Sequence, residues 1–344
     1  MLDLKNIKQY LSCDLAIDLG TSTTLIIDTE RGMVVNEATA VAIKEIRGQI
    51  IAVAFGNEAL EMKGKEARNH RVVFPLKDGS ISDPDIAECM LTHFVEKAMK
   101  DHPNKLFKPN PRIVITVPSN STEIMKRSIK ELALKSGARE VHIIEQSLAA
   151  ALGAELDIAD NNGHVVVHIG AGVTEIAIIS MNDIVHTHTL EFGGTHYTQE
   201  IKRYFRQNHQ LKISTETAER LKIELGTALV PKANDPDEDF INISALDLRS
   251  NLPKEIVVPE MEIYKALRDL LGETINGLME ALAKITPELS GDLLKNGIYL
   301  TGGGSKLKDL DVMLNNVTQL NIKKVKNPEK VAVKGCEICF EDLN

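Results

Sequence analysis

The sequence predicts an α/β protein built from two similar halves, and three glycine-rich turns are the observations that predict it. Two of the turns separate pairs of β-branched runs, which is the pattern of a β-hairpin. The third turn follows a short apolar run near the end of the chain. In order, the stretches are 15–27 (LAIDLGTSTTLII), 163–180 (GHVVVHIGAGVTEIAIIS) and 298–305 (IYLTGGGS). Glycine turns of this kind let backbone N–H groups approach a phosphate without interference from a Cβ atom.

Length and composition narrow the class of protein. A chain of 344 residues exceeds a usual single domain, so two domains or more are expected. The net charge of −9 and the aromatic content of 4% argue against a nucleic-acid partner. No apolar run approaches the ~20 residues of a transmembrane helix. Four cysteines form no disulfide framework, and the first residues lack a secretory signal, so a cytoplasmic protein is expected.

The first half reads as strands and helices around the first glycine turn. Asp18 follows alternating apolar residues at the end of a strand, where a carboxylate can hold a metal-bound water or cap the turn. Residues 46–71 are polar and rich in Gly, Lys and Glu, which indicates a small inserted subdomain. Helical spacing predicts helices over 83–100 and from Ser121, as N-cap, to about Gly137.

A polar pair stands at the next strand-to-helix corner. The strand 141–144 leads through Glu145 and Gln146 into a helix that begins near Leu148. Such corners are a common position for catalytic residues in α/β proteins.

The second half continues with helices after the central hairpin. They are predicted to about residue 208, over 214–225, over 261–285 and over 331–344, with a second peripheral subdomain over 231–258. Glu219 and Lys222 lie one turn apart in the helix 214–225. They form either a surface ion pair or contacts to the hydroxyls and ring of a nucleoside.

Two stretches raise the question of a membrane. Leu106 and Phe107 stand at a loop tip between Lys105 and Lys108, although loop tips are normally polar. They either insert into a membrane or fold back into the core. Residues 2–11 have a loosely helical apolar spacing, which fits an interfacial helix or a terminus docked on the core.

The sequence gives little support for a cysteine metal site or for other catalytic and nucleotide-binding motifs. Cys336 and Cys339 form a lone pair without further ligands, so a metal site is not predicted there. The chain has no nucleophile elbow, no Walker loop and no GxGxxG sequence.

The three glycine turns resemble the nucleotide-binding loops of a known superfamily. Residues 18–21 are similar to the first phosphate loop, residues 170–172 to the second phosphate loop, and residues 301–304 to the adenosine loop of actin, heat-shock chaperone ATPases and sugar kinases. Within this superfamily the whole chain, from about Cys13 onwards, resembles the MreB-type bacterial actins. Further matching stretches are 75–79 (PLKDG), 137–141 (GAREV), 149–151 (AAA) and 218–222 (AERLK).

The resemblance implies an actin-like fold: ribonuclease H-like duplicated domains, with two smaller inserted subdomains, around a nucleotide cleft. It implies subdomain IA at 13–45, 79–158 and 325–344, IB at 46–78, IIA at 159–194 and 257–324, and IIB at 195–256. The implied ligand is ATP or ADP with Mg²⁺, and Asp18 is the implied metal residue. The implied nucleotide-binding residues are Asp18, Gly20, Thr21, Ser22, Thr23, Gly170, Ala171, Gly172, Gly194, Glu219, Lys222, Gly302, Gly303 and Gly304.

The resemblance also implies partners. Members polymerise into antiparallel double protofilaments at the inner face of the cell membrane, where Leu106 and Phe107 match the inserting loop. Other bacterial actin paralogues are further partners that the resemblance allows. The filaments would serve cell shape or motility.

The candidate catalytic positions are Glu145, Gln146, His168 and Val173, and at the last three the chain departs from the family's usual residues. Gln146 replaces the family's second Glu, which polarises the attacking water, and an amide cannot accept a proton as a base. His168 replaces an Asp that faces Mg²⁺ through water, and a protonated imidazole would repel the metal. Val173 replaces a Thr hydroxyl, and Ala171 replaces a Gly.

These departures predict a filament protein that binds nucleotide with slow or absent ATP hydrolysis. The alternative is a fully active ATPase in which a carboxylate such as Glu175 or Asp78 compensates. A small-molecule kinase on the same fold is a weaker alternative, because no additional substrate-binding sequence is evident.

Overall fold

The computed structural model describes residues 13–100, 110–232 and 239–342, and the chain divides into two compact units. Unit 1 comprises residues 1–160 and 330–344, and unit 2 comprises residues 161–329. The finer division into four subdomains stays a prediction.

In its described residues up to 160, unit 1 has ten strands and four helices. The strands are β1 (Asp14–Leu19), β2 (Thr23–Asp28), β3 (Gly32–Ala38), β4 (Val41–Ile46), β5 (Gln49–Phe55), β6 (His70–Val73), β7 (Leu76–Lys77), β8 (Ser80–Ile81), β9 (Arg112–Val117) and β10 (Glu140–Glu145). The helices are α1 (Gly56–Glu61), α2 (Pro84–Met99), α3 (Glu123–Lys135) and α4 (Gln146–Gly153).

The main sheet of unit 1 has the strand order β10-β9-β1-β2-β3. Strands β1 to β3 run antiparallel, whereas β9 and β10 run parallel to β1. Alternate residues of β1 pack into hydrophobic clusters on opposite faces of the sheet, because successive side chains of a strand point to opposite faces. Ile17 packs with residues of α2 and α3 on one face, and Ala16 packs with residues of α4 on the other. The carboxyl ends of β1, β9 and β10 therefore meet at one edge of the sheet.

A smaller sheet of unit 1 has the order β5-β4-β6. Strands β4 and β5 form a hairpin whose turn residues, Arg47 and Gly48, have φ angles of 52° and 80°. Positive φ at both turn positions is the geometry of a type I′ turn, which matches the right-handed twist of the strands. The pairing shifts register between Ala42 and Ile43, so β5 carries a β-bulge.

The part of unit 2 that the structure describes, residues 161–232 and 239–329, has eight strands and five helices. The strands are β11 (His164–Ile169), β12 (Thr174–Ser180), β13 (Asp183–Leu190), β14 (Leu211–Lys212), β15 (Phe240–Asp247), β16 (Pro253–Pro259), β17 (Ile298–Thr301) and β18 (Ile322–Lys324). The helices are α5 (Gly194–Tyr204), α6 (Thr215–Leu225), α7 (Glu260–Leu282), α8 (Pro287–Asn296) and α9 (Leu310–Thr318), with a π-helical turn at Phe205–His209 and 3₁₀ turns at Gly303–Lys306 and Pro328–Lys330.

The main sheet of unit 2 repeats the plan of unit 1. Its order is β13-β12-β11-β17-β18, with β11 to β13 antiparallel and β17 and β18 parallel to β11. The two sheets share strand order and strand directions, which confirms the prediction of two similar halves. Strands β14, β15 and β16 form a separate three-stranded sheet.

The last helix, α10 (Val331–Asp342), belongs to unit 1 and packs against α4. Two glycines bring the helices into backbone contact. A Cβ atom added at Gly335 would overlap the carbonyl of Ala149, and one added at Gly153 would overlap the carbonyl of Val331.

Two details differ from the sequence predictions. The N-cap of α3 is Thr122, whose side chain accepts a hydrogen bond from the N–H of Met125, rather than Ser121. The sequence analysis also missed α1, α8 and α9, although Pro287 at the first turn of α8 is a helix-start signal.

Candidate functional site

The first glycine hairpin joins β1 to β2 in unit 1. The N–H of Gly20 donates to the carbonyl of Thr23 at 3.1 Å, which closes the turn. A Cβ atom at Gly20 would lie 2.8 Å from that carbonyl oxygen, so the tight turn requires glycine. Ser22 and Thr23 are exposed, and Thr21 accepts a hydrogen bond from the N–H of Gly79 at 3.1 Å. The turn therefore presents backbone and hydroxyl groups that suit a phosphate.

Asp18 lies buried beneath this turn. The hydroxyl of Thr116 donates to its Oδ1 at 2.7 Å, and the amide nitrogen of Gln146 donates to the same oxygen at 3.1 Å. Burial raises the pKa of the Asp18 carboxyl to about 6, against the lowering effect of these two hydrogen bonds. The three residues come from the ends of β1 and β9 and the start of α4, which meet because the strands are parallel neighbours.

Glu145 and Gln146 occupy the predicted strand-to-helix corner but face different partners. Glu145 ends β10 and is the N-cap residue of α4, and its carboxylate lies 2.8 Å from the ammonium of Lys126. Gln146 contacts Asp18 instead. The only carboxylate of the corner is thus held in an ion pair, and the residue beside Asp18 is an amide.

The second glycine hairpin joins β11 to β12 in unit 2. The N–H of Gly170 donates to the carbonyl of Val173 at 2.9 Å, which repeats the bond seen at the first hairpin. The side chain of Val173 is buried and brings no polar group to the turn.

His168, directly before this turn, is buried and neutral. Its Nδ1 shares a hydrogen bond of 3.1 Å with the hydroxyl of Thr301. Burial lowers the pKa of His168 to about 4, so the ring carries no charge at neutral pH. The positive charge considered from the sequence therefore does not arise at neutral pH, and the position also lacks the negative charge that an Asp would bring.

A polar row crosses the main sheet of unit 2 at this level. Thr301, His168, Glu175 and Thr189 are successive register partners on β17, β11, β12 and β13. Register partners place their side chains on the same face of a sheet. Glu175, which the sequence suggested as a compensating carboxylate, is completely buried. Asp78, the other candidate, is half-buried in unit 1 beside Lys77.

The remaining glycines of the site hold the loops of unit 2 together. The N–H of Gly194 donates to the carbonyl of Gly170, and that of Thr195 to the carbonyl of Ala171, both at 2.9 Å. A Cβ atom added at Gly302 would overlap the carbonyl of Ile169, and one at Gly304 would overlap the Ile169 side chain. Gly303 has open space, since its nearest neighbour beyond the adjacent residues would lie 3.9 Å away.

Glu219 and Lys222 do form the ion pair that their spacing suggested, at 2.7 Å. The pair is more than a surface contact, because Lys222 is only 15% exposed and its ammonium also donates to the carbonyl of Gly194 at 2.9 Å and to the hydroxyl of Thr198 at 3.1 Å. Lys222 thus ties α6 to the start of α5. Glu219 is 45% exposed and is the more accessible of the two.

Comparison with known proteins gives the family. Residues 12–344 match the family described as "MreB/Mbl protein". The chain belongs to the MreB/Mbl family. It is 36% identical to the cell shape-determining protein MreB of Escherichia coli strain K12 over 336 residues, which cover 96% of this chain and 94% of that protein. It is 35% identical to the cell shape-determining protein Mbl of Bacillus subtilis strain 168 over 331 residues, covering 96% of each.

Solved structures show the fold to be actin-like. The crystal structure of MreB5 of Spiroplasma citri bound to AMPPNP superposes with a TM-score of 0.88 at 30% identity, covering 96% of this chain and 97% of that chain. The same protein has also been solved bound to ADP, with the same TM-score. The MamK double helical filament superposes with a TM-score of 0.78 at 20% identity, covering 97% of this chain and all of that chain, and this likeness concerns the fold alone.

Several predicted features of this MreB/Mbl chain are not described by the structure. Leu106 and Phe107, and residues 2–11, lie outside the described residues. None of the helices in the described ranges combines the length with the apolar composition that a bilayer-spanning helix needs. The same residues contain no group of three or more His, Cys, Asp or Glu side chains arranged to hold a metal ion.

The sequence analysis missed Thr116, and it placed Thr301 in the third glycine turn without its contact to His168. Thr116 binds Asp18, and Thr301 binds His168. Both stand at or next to the carboxyl end of an apolar strand that runs parallel to the strand of their partner. A polar residue at the end of an otherwise apolar parallel strand is the signal that would have found them.

Proposed function

We propose that this chain is a nucleotide-binding bacterial actin that polymerises into cytoskeletal filaments, with slow or absent ATP hydrolysis. The observation that carries the proposal on hydrolysis is the hydrogen bond from the Gln146 amide to Asp18. An amide in this position can orient a water molecule but cannot take its proton.

The glycine turns support nucleotide binding. Each unit supplies a closed turn of the same kind, and Gly302 and Gly304 fit tightly against Ile169, directly before the second turn. The MreB5 protein with which the chain shares its fold was crystallised with AMPPNP and with ADP. We therefore assign ATP or ADP to these turns, with Gly303 as the position open to the ligand.

The residues present fit a Mg²⁺ ion held mainly by the phosphates of the nucleotide. Mg²⁺ prefers oxygen ligands and commonly uses one or two carboxylates together with substrate phosphates. Asp18 is the carboxylate of the predicted site, whereas His168 offers a neutral nitrogen. When bound, the ion would neutralise charge on the phosphates. Asp18 would hold it through water or directly.

Three positions then weaken the hydrolytic step together. Gln146 lacks a basic oxygen, His168 lacks the negative charge, and Val173 lacks a hydroxyl. Phosphoryl transfer depends on positioning and charge neutralisation, so each loss costs an estimated ~10²-fold, and the losses do not add independently.

Family membership supports the remaining parts of the proposal. Proteins described as determining cell shape are 35–36% identical to this chain over nearly its whole length. We propose filaments built from antiparallel protofilament pairs that lie in the cytoplasm at the inner membrane surface, attached through Leu106 and Phe107. Their role in cell shape or motility, and association with other bacterial actins, belong to the same proposal.

The competing function is a fully active ATPase. It is favoured by one observation, the buried carboxylate of Glu175 directly across from His168. If Glu175 supplies the charge that His168 lacks, turnover would drive filament dynamics.

Nucleotide-dependent assembly tests the proposal. We expect the purified chain to bind fluorescent ATP and ADP analogues and to form filaments, seen by electron microscopy, as well with AMPPNP as with ATP. Absence of nucleotide binding, or filaments that form with ATP but not with AMPPNP, would contradict it.

A further inference from the structure

Lys222 uses all of its hydrogen-bond donors inside unit 2. Its ammonium donates to the carbonyl of Gly194 at 2.9 Å and to the hydroxyl of Thr198 at 3.1 Å, and it lies 2.7 Å from a carboxylate oxygen of Glu219. An ammonium group has three N–H donors and no acceptor. These three contacts therefore leave no donor of Lys222 for a nucleotide.

The hydroxyl of Thr198 completes a closed network around this ammonium. It accepts from Lys222, and its own hydrogen can go to the carbonyl of Gly194 or to the carboxylate of Glu219. Because Lys222 is only 15% exposed, water competes little with these acceptors for its charged donors. The network therefore fixes Lys222 against the first turn of α5.

The start of α5 in turn holds the second glycine turn. The N–H of Gly194 donates to the carbonyl of Gly170 at 2.9 Å, and the N–H and hydroxyl of Thr195 donate to the carbonyl of Ala171 at 2.9 and 2.7 Å. The C=O and the N–H of a trans peptide unit point in opposite directions. Because α5 holds these two carbonyls, the N–H groups of Ala171 and Gly172 point away from α5, as phosphate binding by the turn requires.

The approach of α5 to this turn leaves little room for adjustment. A Cβ atom added at Gly193 would lie 2.5 Å from the carbonyl oxygen of Gly170 and 2.8 Å from that of Ala171. Backbone is therefore packed directly on backbone at this point. A shift of the α5 start consequently moves the turn carbonyls, and with them the N–H groups on the other side of the same peptides.

We propose that Lys222 is a positioning residue for the phosphates of the nucleotide and does not itself bind the nucleotide. It fixes the start of α5, and α5 orients the N–H groups of the second glycine turn. This inference rests on the proposed nucleotide binding at that turn. It gives Lys222 a role different from the contact to the nucleoside that the resemblance implied. The effect of Lys222 therefore falls on the phosphate part of the ligand.

The test compares Lys222→Met with Lys202→Met in the full chain. Lys202 is the matched control, because its ammonium also joins α5 to α6, through a hydrogen bond of 2.8 Å to the hydroxyl of Thr215, but it lies near the other end of α5. Affinities for ADP and for pyrophosphate are measured with Mg²⁺ by competition with a fluorescent ADP analogue. We expect Lys222→Met to weaken both by the same factor, about five- to tenfold, and Lys202→Met to change neither.

Two results of the affinity measurement would overturn the proposal. A loss for ADP without a loss for pyrophosphate would mean that Lys222 contacts the nucleoside. Unchanged affinities of Lys222→Met, with a lower unfolding free energy in urea, would mean that Lys222 only stabilises the packing of α5 on α6.

Hydrogen exchange without nucleotide separates this inference from the proposed function. The amide hydrogens of Gly194 and Thr195 should exchange at least about fivefold faster in Lys222→Met than in the parent or in Lys202→Met. Mass spectrometry of peptides that cover the start of α5 measures these rates. A parent that binds no ADP would refute the proposed function, whereas equal exchange in the three proteins would overturn the role given to Lys222.

Discussion

At the scale of single residues, the geometry around Asp18 makes a prediction about pH. Burial raises the pKa of Asp18 from 3.8 to about 6, so the folded state holds this proton more tightly than the unfolded state does. The protonated Asp18 carboxyl makes its whole stabilising contribution below its pKa in the unfolded state. That contribution is lost as the pH rises through its pKa in the folded state. Relative to Asp18→Asn, the parent should lose about 2 kcal/mol of unfolding free energy between pH 4 and pH 6.

Urea unfolding of both proteins without nucleotide or metal measures this difference. Identical pH dependence of the two proteins would show that Asp18 is not in the buried, desolvated position described here.

Gly302 makes a second residue-scale prediction. Its φ is 81°, a conformation that disfavours side chains, and an added Cβ would overlap the carbonyl of Ile169. Gly302→Ala should therefore lower the unfolding free energy by about 2 kcal/mol or more. Gly303→Ala is the matched control, because its Cβ would meet open space, and its stability should change by less than about 0.5 kcal/mol.

The two glycine variants also separate structure from binding. If Gly303 faces the nucleotide, Gly303→Ala lowers nucleotide affinity without a loss of stability. Equal stability of the two variants would contradict the tight fit of Gly302.

At the scale of elements, the contact between α4 and α10 is set by two glycines. A Cβ at Gly335 would push the α10 backbone away from Ala149, and no side-chain rotation relieves a backbone overlap. Gly335→Ala should cost about 2–3 kcal/mol or prevent folding. Gly272→Ala in α7, where nothing lies within 4 Å of the added Cβ, should instead stabilise by about 0.5–1 kcal/mol.

Chemical denaturation of the two variants checks this prediction. A stable Gly335→Ala protein would mean that the helices are not in backbone contact.

The elements also show how much the sequence could predict. The two hairpins were predictable because β-branched runs end at glycine turns, and both turns close through the same backbone bond. The amphipathic helices α2 and α7 were predictable from their periodicity. The contact partners of Thr116 and Thr301 and the triple contact of Lys222 were not, because each depends on which strands or helices become neighbours in the fold. Likewise His168 is neutral because it is buried, and the identity of a residue in the sequence does not reveal whether the fold buries it.

At the scale of the whole molecule, we propose that the glycine loops retain nucleotide binding while the hydrolysis of ATP is slowed. Reversion tests it: His168→Asp, Gln146→Glu and Val173→Thr together should raise phosphate release by ~100-fold or more. The Gln146→Glu change alone places a second carboxylate beside Asp18, so it should help only in the combined variant with Mg²⁺ present. A triple variant no faster than the parent would show that these positions do not limit hydrolysis.

Phosphate release by the purified parent with Mg-ATP, measured alongside pelleting with ATP, ADP or no nucleotide, tests the central claim most directly. The account predicts nucleotide-bound filaments in the pellet with no phosphate release above background. Steady release that accompanies assembly would contradict it, and would mean that a group such as Glu175 compensates for the three substitutions.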